Sequence, residues 1–312
     1  MTENTFGREG WTPTKLGSLV GKTYLVTGAN AGTGFEATRV FLSKGAKVIM
    51  LNRNEDKSNA AIKTLQQEFE NPDVSFIRMD LAQLESVRNA AAEVLEQVPS
   101  ISALICNAAI AQVISQQFTV DGFESQWGVN YLGHFLLCGL LFERIEESGG
   151  RIVVVTSGGY KWVKKIQFDD LNHNRNYSPN LTYCHSKLAQ MMFAYELQRR
   201  VEEAGKRVQV LVCHPGAART ELINESSWDK RLMWWMISFF AQSAEKGSWP
   251  EVMCATEDGL KLEALYGPTK RMETVGAIAE CTLAPHPLDR AAAAKLWSIS
   301  EEQTEYLWTL KT

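Results

Sequence analysis

Six short stretches, Thr23–Val26, Lys47–Leu51, Val74–Ile77, Ala103–Cys106, Arg151–Thr156 and Val208–Cys213, are nearly continuous in apolar character and rich in Val, Ile and Leu. Each is bounded by Gly, Asn, Asp or Pro. That is the pattern of a strand buried on both faces, not of one with a wet side. Helical patterns run between them, at Phe35–Ser43, Asp56–Glu70, Leu84–Val98, Phe123–Leu141 and Tyr183–Glu203. Strand and helix alternate without internal repeats or low-complexity linkers. The alternation predicts an α/β fold, a doubly wound parallel sheet with helices on both faces. Ligands of such sheets bind at the carboxyl ends of the strands, so the residues just after each strand are the candidates for function.

Bulk properties narrow the classes. A chain of 312 residues can bury a substantial core. A net charge of −4 weighs against nucleic acid as a partner, because phosphate binding needs concentrated positive charge. The six cysteines are scattered, with no CxxC pair, and several lie inside apolar runs as small hydrophobes; a reducing, cytoplasmic location is expected. Residues 1–19 hold charges and Pro13 but no apolar core of a signal peptide, and read as an N-terminal extension. The stretch Leu232–Phe240 is about half the roughly 20 residues needed to span a bilayer. It predicts no transmembrane segment, though it is compatible with peripheral membrane contact.

After the first strand comes Thr27-Gly28-Ala29-Asn30-Ala31-Gly32-Thr33-Gly34. A tight strand-to-helix turn needs glycine for its backbone angles and for close approach of a pyrophosphate, and the helix N-terminus beyond offers free N–H groups. The spacing is GxxxGxG, not GxGxxG. Such a loop often serves packing only, but after the first strand of this pattern it points to a dinucleotide. The second strand ends in Leu51-Asn52-Arg53-Asn54. No acidic residue stands there to hold a ribose 2′-hydroxyl, and Arg53 offers a planar fork suited to a 2′-phosphate. The expected cofactor is therefore NADP(H); the alternative is a surface Arg53 paired with Glu55 or Asp56.

The order of strand-end residues resembles the short-chain dehydrogenase/reductase family. The resemblance is carried by Thr27–Gly34, Asp80-Leu81, Asn107-Ala108-Ala109, Asn130, Thr156-Ser157, Tyr183-Cys-His-Ser-Lys187 and His214-Pro215-Gly216, and covers about residues 20 to 312. More narrowly, Val129–Phe135, Tyr183–Leu188, His214–Leu222 and the long segment between Ser157 and Tyr183 are similar to the retinol dehydrogenase and protochlorophyllide reductase group. It implies a single Rossmann-type domain over 20–312. Ala109 departs from the pattern, which has glycine there, and its methyl group narrows the space near the nicotinamide ribose.

Tyr183 and Lys187 are four apart on a helix and share one face. A phenol must fall from a pKa of about 10 toward 7 to serve as an acid/base, at a cost of about 4 kcal/mol. An ammonium some 4–5 Å away, at an effective dielectric near 20, contributes on the order of 4 kcal/mol. The resemblance assigns the rest. Ser157 would polarise the substrate oxygen, Tyr183 would exchange the proton, and Lys187 would tune Tyr183 and hold the ribose. Asn130, in the middle of the fourth helix, would anchor a water leading to Lys187, or act only as a helix-kinking polar residue. Asp80 and Leu81 would flank the adenine, with Asp80 alternatively a strand-end turn residue. Thr220 and the Pro215-Gly216 turn would sit beside the nicotinamide amide. Asn30, Ala31, Gly32, Thr33, Asn52, Asn107, Ala108 and Ala109 complete the cofactor set.

His134, His185 and His214 lie on separate elements without metal-ligand spacing, so packing or supporting roles are expected and no metal. Trp228, Trp234, Trp235, Phe239, Phe240 and Trp249 follow the sixth strand and predict an apolar substrate lid over residues 218–250; ordinary core or a subunit contact is the alternative. The expected reaction is reversible reduction of a hydrophobic ketone or aldehyde, with homo-oligomerisation left open. Reduction of a tetrapyrrole carbon–carbon double bond is disfavoured by Ala189 and Ala217, where protochlorophyllide reductases carry cysteine. A catalytically silent scaffold is disfavoured by retention of Tyr183 and Lys187.

Overall fold

The computed structural model describes residues 6–217 and 242–310. The six expected strands form, as β1 (Thr23–Thr27), β2 (Lys47–Asn52), β3 (Val74–Arg78), β4 (Ala103–Cys106), β5 (Arg151–Val155) and β6 (Gln209–Cys213). Two more follow, β7 (Leu265–Lys270) and β8 (Val275–Cys281), in an eight-stranded sheet ordered β3-β2-β1-β4-β5-β6-β7-β8. All pairings are parallel except β7 with β8, which is antiparallel. The chain therefore has the doubly wound, Rossmann-type architecture. The order reverses between β1 and β4, so their carboxyl ends part and leave a crevice there.

The interior strands are buried along nearly their whole length, as the apolar runs require; β3 is not, because it is an edge strand with Val74, Ser75 and Phe76 partly or fully exposed. The helices are α1 (Gly32–Ser43), α2 (Glu55–Glu68), α3 (Leu84–Gln97), α4 (Gly133–Glu147), α5 (Pro179–Glu203), α6 (Ala244–Thr256) and α7 (Arg290–Thr304). Two apolar cores lie on opposite faces of the sheet. One is built from α3, α4, α5 and α7 with Leu25, Leu104 and Val154, the other from α1 and α6 with Val26, Ile105 and Val153. Alternate residues of a strand thus feed alternate cores.

The expected helix Phe123–Leu141 begins differently. The buried Glu124 carboxylate accepts hydrogen bonds from the backbone N–H of Gln126 (3.0 Å) and Trp127 (2.8 Å), which caps the helix start. A π-helical segment, Trp127–Leu132, then precedes α4. Among the described residues before 20, Trp11 and Leu19 also pack into the body of the fold. Trp11 is fully buried, donates from Nε1 to Glu257 Oε2 (2.8 Å), and its backbone N–H bonds to Ile278 O on β8.

Trp11→Ala removes a buried indole and leaves Glu257 without that donor. It should cost about 3–5 kcal/mol in denaturant unfolding, with dinucleotide affinity of the folded protein unchanged.

Candidate active site

The strand-end residues converge on the crevice between β1 and β4. Gly28 turns the chain with φ +67°, and a Cβ there would lie 2.9 Å from Ala108 Cα. At Gly34 a Cβ would stand 2.4 Å from Asn107 Nδ2 and 2.6 Å from Gly28 O, so α1 can approach β4 this closely only with glycine. Asn107 braces the turn. Its Nδ2 donates to Thr27 O (2.8 Å) and Gly28 O (3.3 Å), and its Oδ1 accepts from Thr33 Oγ1 (2.9 Å). Thr27 Oγ1 accepts from the Ala108 N–H at 2.9 Å. Asn52 also works inward, accepting from Ala29 N (2.7 Å) and donating to Ser58 Oγ (3.1 Å). Several residues expected to touch cofactor are thus used to hold the cradle's shape. Asn30, Ala31 and Gly32 line the turn into α1 and are partly exposed. Arg53 is exposed at the end of β2 and, among the described residues, makes no ion pair with Glu55 or Asp56.

Asp80 is a turn residue, its Oδ1 accepting from Ala82 N at 3.0 Å, and Leu81 is buried against Gly133. Asn130 lies in the π-helical segment, and its side-chain amide is fully engaged. Oδ1 accepts from Ile110 N (2.8 Å), while Nδ2 donates to Ile110 O and Ser186 Oγ (both 3.0 Å). It ties the strand-end segment after β4 to α5, and its helix is distorted where it does so. Ala109 sits between these anchored neighbours.

Ser157, Tyr183 and Lys187 come together across β5 and α5. Ser157 Oγ accepts from Gly159 N (3.2 Å) at the start of a 3-10 turn and faces Tyr183, whose phenol it favours in the ionised form. A Cβ at Gly159 would lie 3.0 Å from Cys184 Sγ, which is how the Ser157 loop reaches the helix carrying Tyr183. The electrostatics differ from the expectation. Lys187 Nζ lies 5.8 Å from the Tyr183 ring centroid and donates to Val155 O (3.0 Å) and Gln190 Oε1 (2.8 Å). Burial therefore dominates, and it pushes the Tyr183 phenol up to about 12 and the Lys187 ammonium down to about 7. Burial outweighs the lowering argued from the i, i+4 spacing. Gln190, three residues beyond Lys187 and fully buried, was not singled out by sequence; only its position on the same helix face could have signalled it.

The histidines have separate partners. His134 bridges Asn130 O (2.9 Å) and Thr27 Oγ1 (3.0 Å), His185 accepts from Gln167 N (2.8 Å) and meets His173 (3.1 Å), and His214 Nδ1 accepts from Gly216 N (3.2 Å). Burial holds His134 and His214 down to about 4 and His185 to about 3, all neutral at pH 7. His214 does meet Glu273 and Cys281, with one ligand atom of each within 4.8 Å of the others. Glu273, however, already carries the Lys161 ammonium at 2.6 Å, which serves as its cation.

Pro215 and Gly216 are braced from both sides, Gln242 Nε2 donating to Pro215 O (2.6 Å) and Ala217 N bonding Thr274 O (2.9 Å). Thr220, Trp228, Trp234, Trp235, Phe239 and Phe240 lie outside the described residues. Trp249 falls on α6, partly buried against the second core, so the tail of the expected lid, from Ala244, is packed helix. A cavity of about 820 Å³ lies elsewhere, lined by Tyr266, Glu280 and Cys281 among others, and includes none of the candidate residues.

The family model for short chain dehydrogenases matches residues 22–231. The chain belongs to the short-chain dehydrogenase/reductase family. It is 38% identical to human retinol dehydrogenase 14 over 302 residues, covering 91% of this chain and 87% of that one. It is 36% identical to human retinol dehydrogenase 11 over 244 residues, 78% of this chain and 76% of the other. Among solved structures, an uncharacterized protein from Mycobacterium paratuberculosis superposes with a TM-score of 0.79 at 34% identity, over 96% of this chain and 99% of that one. The short-chain dehydrogenase described here is accordingly an oxidoreductase of a nicotinamide-dinucleotide-binding family. No helix among its described residues is long and apolar enough to cross a membrane.

Asn130→Ala should lower stability by about 1–3 kcal/mol, because it strands the N–H and C=O of Ile110, and thermal unfolding followed by circular dichroism would register the loss.

Proposed function

We propose that the chain is an NADPH-preferring carbonyl reductase that moves hydride to a hydrophobic ketone or aldehyde, and runs in reverse as an alcohol dehydrogenase. The observation that carries the cofactor preference is at the end of β2. Asn52 is buried and turned into the protein, no carboxylate replaces it there, and Arg53 stands exposed without an acidic partner among the described residues. A guanidinium so placed is available to a 2′-phosphate, and a ribose 2′-hydroxyl finds no acidic acceptor. The hydrophobic substrate class draws support from the aromatic content of residues 228–240 and from relatives named for retinol, a long apolar alcohol. Six unpaired cysteines, all buried, support a reducing, cytoplasmic location.

When bound, a nicotinamide dinucleotide would supply the hydride in reduction and accept it in oxidation, its oxidised form adding positive charge to the site. The protein's own groups do the rest. The cradle of Thr27–Gly34 and Asn107 is already hydrogen-bonded into shape, which reduces the ordering that binding must impose. Ser157 and Tyr183 present two hydroxyl groups to one substrate oxygen, Ser157 polarising it and Tyr183 Oη delivering the proton in reduction or taking it in oxidation. Lys187, now on Val155 O and Gln190, is the cation nearest the phenol on α5 and the group suited to the ribose hydroxyls.

Arg53→Ala should weaken NADPH binding about tenfold to a hundredfold and leave NADH nearly unchanged, as read by cofactor fluorescence titration. Equal affinity of the unaltered protein for both cofactors would refute the preference. Tyr183→Phe keeps the ring and removes one oxygen. It should keep NADPH affinity while turnover falls about a hundredfold or more. Oxidative activity of the parent should rise with pH as the phenol deprotonates, and the variant should lack that limb; a variant with most of its activity intact would remove Tyr183 from the chemistry.

A further inference from the structure

The least explained buried group in the molecule is the carboxyl of Glu251. It lies on α6, the helix packed against α1 across the second core, and is fully inaccessible to solvent. Neither carboxyl oxygen has a hydrogen-bond partner of ordinary geometry, and the hydroxyl that faces it is that of Thr33. A buried carboxylate without a donor is among the costliest arrangements a protein can hold, and such a group is ordinarily kept neutral. The charged or titratable groups facing it are the Lys187 ammonium from α5 and the Cys213 thiol from β6, the latter itself against Cys254. From α1 it meets Thr33. Burial outweighs the Lys187 ammonium and pushes the carboxyl up to about 8.

Thr33 gives this group a use. A hydroxyl has one proton, and that of Thr33 is already on Asn107 Oδ1 at 2.9 Å. Toward Glu251, Thr33 can therefore only accept, and only a protonated carboxyl can donate to it. We propose that Glu251 is a positioning residue for the dinucleotide cradle, a neutral buried acid that donates to Thr33 Oγ1 and so completes a chain running Glu251 to Thr33, to Asn107, to the carbonyls of Thr27 and Gly28. Each donor in the chain has one acceptor orientation, so the chain fixes the Asn107 amide. Asn107 in turn fixes the turn at Gly28 and the start of α1. Ionised Glu251 has no proton to give, and Thr33 would have to turn toward it, releasing Asn107. The same ionisation sets a negative charge facing Lys187.

The inference rests on reading Thr27–Gly34 as the dinucleotide site, and the test separates the two. NADPH dissociation constants are measured from pH 6 to 9.5 for the full chain, Glu251→Gln and Glu251→Ala. The parent should bind more weakly as pH rises through about 8. Glu251→Gln, whose amide donates to Thr33 at every pH, should match the parent at pH 7 and lack that limb. Any dependence arising from Lys187 near pH 7 remains in both, so the limb is read as their difference. Glu251→Ala should bind about tenfold more weakly at pH 7. Should it fail to fold, Thr33→Val, which removes the acceptor, should show the same loss. A Glu251→Gln variant with the parent's pH limb, or Glu251→Ala and Thr33→Val variants with the parent's affinity, would overturn the role of Glu251 alone. A parent that binds no nicotinamide dinucleotide at any pH would overturn the reading of the cradle.

Discussion

Asn107 is the side chain on which the geometry of the crevice turns. It leaves β4 just where the sheet order reverses, and reaches across to the carbonyls that close β1 while accepting from the first turn of α1. Strand, turn and helix are held to one another through a single planar amide whose donors and acceptor are all committed. Around it the same tactic recurs. Asn52 ties β2 to the turn at Ala29, Thr27 ties β1 to Ala108, and Asn130 ties the segment after β4 to α5. Parallel strands end with backbone groups that no neighbour satisfies, and buried polar groups must be paired. Here side chains supply the pairing and set the shape of the crevice.

The same burial sets the electrostatics. Lys187 and Tyr183 are both desolvated, which disfavours the charged form of each, so both groups lie closer to neutrality than they would in water. Lys187 offsets part of the cost by bonding Val155 O and Gln190, a placement that ties it to β5 as well as to its own helix. Glu251 lies behind the cradle in the same dry region, and its charge state is coupled to that of Lys187 by proximity. Neutral histidines fill the gaps. His134 links Thr27 to Asn130, joining the β1 end to the π-helical segment without introducing a charge.

Much of this was legible in the residues. The six buried strands announced themselves because a strand covered on both faces is apolar at every position, while the edge strand β3, exposed in part, fitted that pattern least well. Strands β7 and β8 lack that continuous apolar pattern, since they contain Gly267-Pro268 and Gly276, residue types more common in turns. Proline is tolerated there because parallel pairing with β6 stops at Tyr266, leaving one edge of β7 open at Pro268. The helix expected from Phe123 begins only after Glu124, because its carboxylate folds back to cap Gln126 and Trp127, which periodicity does not show.

Sequence by itself determined the alternation of strand and helix, and hence the doubly wound sheet, together with the list of strand-end residues that meet at its crevice. Both follow from chain-local properties, namely apolar periodicity and the backbone demands of a tight turn. Tertiary structure alone decided how those residues divide their work. Asn52, Asn107 and Asn130 spend their amides on the protein, Lys187 rests on Gln190 and Val155, and Glu251 arrives beside Thr33 from a helix more than 200 residues further along the chain. The physical reason is that hydrogen-bond partners and desolvation depend on which atoms surround a group, and those atoms come from elements that are distant in sequence.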